Sequence, residues 1–209
     1  MQDTLNKKQL AIIPVAAFTA SGETEKLNGA LNEALDAGMT VNEVKEILVQ
    51  LYAYAGFPRS LNALGALMAI LAQRRLNGIE DEIGRDASPL PEAMESLQTG
   101  ADNQTRLVGK PVTGPLFEFA PAIDRFLKSH LFGDIFQRDV LDWQSRELAT
   151  ISALAALGGV NGQLKSHYAM CMNTGLTRAQ LRAFIARLGL TCGAAVADNA
   201  AAVLDESLS

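Results

Sequence analysis

Cysteine is almost missing from this 209-residue chain: Cys171 and Cys192 are the only two, and they form no Cys-x-x-Cys pair. No spacing suits a metal site, so free thiols in a reducing compartment are expected. Histidine is equally scarce, with only His130 and His167. Lysine and arginine form no run and the formal net charge is −5, which removes the electrostatic footprint of a nucleic-acid partner. No stretch of about 18 uncharged apolar residues occurs, so a membrane-spanning helix is excluded. The polar start MQDTLNKKQL leads into only a short apolar run, unlike a secretory signal, and the expected location is the cytoplasm. Neither a zinc pattern nor a phosphate-binding glycine loop is legible, so no cofactor is expected. Aromatics are only 6% of the residues, which speaks against sheet.

What is present is alanine and leucine, in a chain that is 48% hydrophobic and 20% charged. That composition favours helices and suffices for one large domain or two small ones packed together. The most informative pattern is internal. Residues 40–56, TVNEVKEILVQLYAYAG, parallel residues 177–193, TRAQLRAFIARLGLTCG. Each opens with a capping box, Thr40 with Glu43 and Thr177 with Gln180. Each follows a glycine suited to ending a helix, Gly38 or Gly175, and each stops at another, Gly56 or Gly193. Upstream, residues 8–22 parallel 146–159, and downstream Asn62 matches Asn199. The offset of 137 residues between the two runs marks a duplication. The spacing predicts helices near 5–20, 24–37, 41–55 and 59–75. A second set follows near 117–130, 144–157, 161–174, 178–191 and 194–206. Residues 1–75 form one repeat, 117–209 the other, and 76–116, rich in glycine, proline and polar residues, a linker or lid.

Residues 131–181 resemble the carboxymuconolactone decarboxylase family. The matching positions are Phe132, Gly133, Phe136, Arg138, Leu141, Arg146, Leu164, His167, Gly175 and Thr177. The family's next helix, with its Glu, Gln, Tyr-x-Gly-x-Pro and Asn, is matched in the first half by Glu46, Gln50, Tyr54, Gly56, Pro58 and Asn62. The resemblance implies an all-α, alkylhydroperoxidase D-like helical bundle, here internally duplicated. The copies depart from the pattern in opposite ways. The second has Ala183, Arg187, Thr191 and Ala195 where the first has Glu46, Gln50, Tyr54 and Pro58. The first has Ala30 where the second has His167.

His167 is the candidate acid–base group, since imidazole titrates nearest neutral pH; a structural histidine bound to a carbonyl is the plainer reading. Glu46, Gln50 and Tyr54 recur at intervals of four and share one helical stripe. A half-buried carboxylate there needs a partner or a raised pKa; alternatively the stripe faces water. Arg138 is a candidate for holding a substrate carboxylate, with Gln50 beside it, whereas Arg146 reads better as half of a structural ion pair. Cys171 shares a face with His167 and is either an activated thiol or core filler.

Three functions compete. The resemblance implies a lyase acting on a small lactone acid, with His167, Glu46 and Tyr54 in one pocket composed from both repeats. A thiol-dependent peroxidase would need Cys171 and Cys192 to meet. A non-catalytic oligomeric scaffold is the third. Single-copy members of the family form rings of six, so a two-copy chain is expected to reach a similar homo-oligomeric ring as a trimer.

Overall fold

The computed structural model describes residues 4–92 and 94–208. Each repeat supplies four helices. The first contains α1 (Lys7–Ser21), α2 (Thr24–Asp36), α3 (Val41–Ala55) and α4 (Phe57–Leu76). Between the repeats lie α5 (Ser96–Val108), α6 (Pro115–Phe119), α7 (Pro121–Phe126) and a π-helical segment, Leu127–Ile135. The second repeat contains α8 (Trp143–Leu157), α9 (Asn161–Asn173), α10 (Arg178–Cys192) and α11 (Ala194–Leu208). Among the described residues there is no strand. The all-helical, duplicated bundle expected from the sequence is what forms.

Local chemistry explains why the repeats match. Thr40 Oγ1 accepts from the Glu43 N–H at 3.2 Å, and Glu43 Oε2 accepts from the Thr40 N–H at 2.7 Å. Thr177 and Gln180 reproduce the exchange at 3.1 and 2.9 Å. Two otherwise orphaned donors are thereby satisfied at each helix start. The turns that precede these caps need a left-handed residue, and Gly38 (φ +87°) and Gly175 (φ +101°) supply it.

Helices α1 and α8 are each buried along an unbroken ten-residue stretch, Ala11–Ala20 and Arg146–Ala155, and they pack against each other at the centre. Such helices show no amphipathic stripe because no side of them faces water. Around this pair, α3 lies on α8 and α10 lies on α1, which is the same contact made twice. One continuous core joins Ile12, Ile13, Leu31 and Leu48 of the first repeat to Leu148, Leu164, Tyr168 and Phe184 of the second.

The segment between the repeats is more structured than a linker or lid without helices. α5 is polar outside (Gln98, Asp102) and buries Gly100, Gln104 and Leu107 against the π segment. Contact is close enough that a Cβ on Gly100 would lie 1.6 Å from the Lys128 carbonyl oxygen. A Cβ on Gly133 would lie 2.4 Å from that of Ser96. Gly100→Ala must therefore push two backbones apart. It is expected to lower stability by about 1–3 kcal/mol or more, read by urea denaturation. The expected single helix over 117–130 is divided as well. Ala120 leaves the helical region (φ −130°, ψ 71°), because the residue before a proline is driven out of it, and Pro121 starts the next helix.

Residues 79–90 cross the start of α3 as a strap. The N–H groups of Val41 and Asn42 donate to the carbonyls of Glu82 and Ile83, both at 2.9 Å. Asn42 Nδ2 donates to Asp86 Oδ1 at 3.0 Å. Further on, Ser88 donates to the Asp139 carboxylate through its N–H and Oγ, at 2.9 and 2.8 Å. Those two bonds, with Arg85, hold Asp139 well below the usual carboxylate range.

Candidate active site

The stripe expected on α3 faces α8, not water. Glu46 and Gln50 are buried, and the groups across from them come from the second repeat. Arg138 Nε donates to Glu46 Oε1 at 2.9 Å, and Arg146 Nη2 donates to Glu46 Oε2 at 3.1 Å. Burial alone would raise the Glu46 carboxyl, but the two guanidiniums outweigh it and hold it below the ordinary carboxylate range. Glu46 is thus an ionised clamp and not a proton reservoir near neutral pH.

Gln50 is saturated. Its Oε1 accepts from Arg146 Nη1 at 3.0 Å, and its Nε2 donates to the Arg146 carbonyl at 2.9 Å and to Thr150 Oγ1 at 3.0 Å. As placed here it fixes Arg146, and both of its donors are committed within the protein, which leaves it no donor for a substrate. Arg146 is the structural ion-pair partner that the sequence suggested. Arg138 is half-exposed and spans Glu46 from the solvent side. With Lys45, Asn42 and Asp86 of the strap it lines a cavity of about 210 Å3 that Glu46 also reaches. His167 does not line that cavity.

His167 lies further along the same interface, in α9. Its Nδ1 is 2.7 Å from Glu147 Oε2, and both side chains are buried. With Nδ1 turned to that carboxylate, Nε2 is the ring nitrogen left for chemistry. Tyr54 meets the His167 ring edge-on, with centroids 5.9 Å apart. Burial, reinforced by the Glu147 charge, keeps the Tyr54 phenol protonated far above its usual range. Among the described residues Glu147 Oε1 is buried without a hydrogen-bond partner, and the buried Tyr54 hydroxyl has only Thr150 close by.

The carboxylate on His167 is therefore Glu147, and Glu46, expected in one pocket with His167, faces Arg138 and Arg146 instead. The cause is helical register: Glu46 is two turns from Tyr54 along α3, opposite Arg146, whereas Glu147 faces α9. Glu147 was not picked out from the sequence, although a signal was there. Arg146 and Glu147 are adjacent charges in a helix that otherwise reads LATISALAAL, and a helix with no wet side must pair both.

The pseudo-equivalent place between α10 and α1 holds none of these groups. There Arg187 pairs with Glu33 of α2, and Thr191 Oγ1 donates to the Arg187 carbonyl. Neither thiol is primed. Cys171 is fully buried, and burial followed by the Glu147 charge pushes it well above the normal thiol range. Burial also raises the half-buried Cys192.

The fold and site define an all-helical protein in which two copies of one unit bring Tyr54, Glu147 and His167 into one buried cluster. The chain belongs to the carboxymuconolactone decarboxylase family, whose model matches residues 1–69 and 121–206. Two separate matched segments fit the internal duplication. The chain is also 29% identical over 91 residues to the 4-carboxymuconolactone decarboxylase of Acinetobacter baylyi, covering 44% of this chain and 67% of that protein. No helix among the described residues is long and apolar enough to cross a membrane.

Proposed function

We propose that the chain is a lyase that removes carbon dioxide from a small lactone acid by acid–base catalysis at His167. The observation that carries this reading is the buried Glu147–His167 pair, with the Tyr54 ring edge-on to the imidazole. Family membership and the name of the Acinetobacter relative support the substrate class.

In the proposed reaction the carbon–carboxylate bond breaks, and its electron pair passes into the conjugated lactone as a dienolate. Tyr54 Oη, a neutral O–H donor, stabilises the developing oxyanion. The imidazolium Nε2–H then delivers a proton to carbon, and the ring regains it from water. Glu147 holds Nδ1–H throughout and stabilises the charged ring, so proton transfer is confined to Nε2. Purified chain incubated with 4-carboxymuconolactone should release carbon dioxide stoichiometrically with loss of the lactone. No turnover across pH 6–8 would overturn the proposal.

The raised thiols argue against a peroxidase cycle, which requires a thiolate. We also propose self-association into a trimer. Phe57, Leu61 and Met68 recur along the outer face of α4 and are mostly exposed, an apolar stripe suited to an interface. Light scattering should give three times the 22.3 kDa chain mass, and a monomer would contradict it.

A further inference from the structure

One buried hydroxyl of α8 has no part in the chemistry so far. Thr150 is fully buried and stands one turn beyond Arg146, where α3 packs on α8. Its Oγ1 accepts from Gln50 Nε2 at 3.0 Å and donates to the Arg146 carbonyl at 3.0 Å. The same hydroxyl is the polar neighbour of the buried Tyr54 phenol. Register explains the meeting. Gln50 and Tyr54 are one turn apart on α3, and Arg146 and Thr150 one turn apart on α8, so the two pairs come face to face.

A hydroxyl has one hydrogen and two lone pairs, and the hydrogen rotates to suit its surroundings. One lone pair of Thr150 is taken by Gln50. Its hydrogen has two acceptors within reach, the Arg146 carbonyl and Tyr54 Oη. The carbonyl can release it without being stranded, because it also accepts from Gln50 Nε2 at 2.9 Å. Tyr54 Oη becomes the better acceptor once the phenol donates its own hydrogen elsewhere, since bonds in a chain polarise one another.

The pseudo-equivalent place, where α10 meets α1, is consistent with such a pairing. Thr191 stands there for Tyr54, and Ile12, counted from Lys8 as Thr150 is from Arg146, stands for Thr150. Phenol and partner hydroxyl are absent together.

We propose that Thr150 is a positioning residue for Tyr54: Gln50 donates to Thr150, Thr150 donates to Tyr54 Oη, and the phenol hydrogen is thereby aimed at the substrate oxyanion. This role rests on the lyase reading above. It also gives Gln50, which has no donor to spare for a substrate, an indirect part in the reaction.

Thr150→Val removes the hydroxyl and keeps the branched shape, whereas Thr150→Ser keeps the hydroxyl. Neither strands Gln50, whose Nε2 retains the Arg146 carbonyl. In the valine variant kcat for lactone decarboxylation should fall about fivefold, the worth of one net hydrogen bond. KM should stay unchanged, since the bond acts only as the oxyanion forms. Serine should restore kcat, and in a Tyr54→Phe background Thr150→Val should lower it no further. Full kcat in the valine variant, an equal loss with serine, or the same loss in both backgrounds would overturn the proposal. A second readout needs no turnover. The chain has three tyrosines, and Tyr168 Oη donates to the Ala200 carbonyl at 3.0 Å, so ring 13Cζ spectra of the full-length protein carry a built-in control. Thr150→Val should move the Tyr54 signal and leave that of Tyr168 in place; an unmoved Tyr54 signal would also overturn the proposal. If the Tyr54 signal moves but the unaltered protein leaves the lactone intact, the lyase reading falls and the hydroxyl–phenol pairing stands.

Discussion

His167→Gln should lower kcat for lactone decarboxylation by about 10²–10⁴-fold, the usual contribution of a positioned acid–base group. Glutamine is the sharper test than alanine, because its amide can still donate to the buried Glu147 carboxylate. Stability should therefore stay near that of the unaltered chain while proton transfer is lost. Glu147→Gln should also reduce kcat, because the amide can present its N–H to Nδ1 and so favour the wrong tautomer. Measured together, the two variants should be far from additive, since they act as one unit. A His167→Gln protein with full turnover would remove imidazole from the mechanism.

The largest expected loss of stability comes from Glu46. Glu46→Ala leaves the Arg146 guanidinium, 0% exposed, with no counter-charge. Breaking a buried pair from one side costs about 3–5 kcal/mol, and urea denaturation at pH 7 should show it. Replacing Glu46 and Arg146 together by leucine should cost less than the single change, because no uncompensated buried charge then remains and Arg138 is half-exposed. The pH dependence follows from the depressed Glu46 carboxyl. Its contribution is fully present above the unfolded value of about 4.3 and is lost as pH falls through the lower folded value. Glu46→Gln should therefore flatten the acid limb of stability below about pH 4.3.

These groups were legible in the sequence to different degrees, for physical reasons. Glu46, Gln50 and Tyr54 stood out because helical spacing puts them on one stripe, and the capping boxes fixed where that stripe begins. His167 stood out through rarity and its match to the family pattern. The partners were harder to see. Spacing shows what shares a face of one helix, but not which residue of another helix lies opposite, so Glu46 was matched to His167 in place of Arg138 and Arg146. α5 escaped because its docking rests on the absence of a side chain at Gly100, and hydrophobic periodicity does not register an absence. The π turn escaped for a related reason: it shifts the register that such periodicity assumes.

The Arg187–Glu33 pair on the far side of the pseudo-twofold sets a stoichiometry. Two identical copies would carry two identical sets of these groups, whereas the second copy has Ala183, Arg187 and Thr191 in place of Glu46, Gln50 and Tyr54. A tight-binding analogue of the dienolate should therefore titrate at one equivalent per polypeptide, and a three-membered ring should hold three, not six.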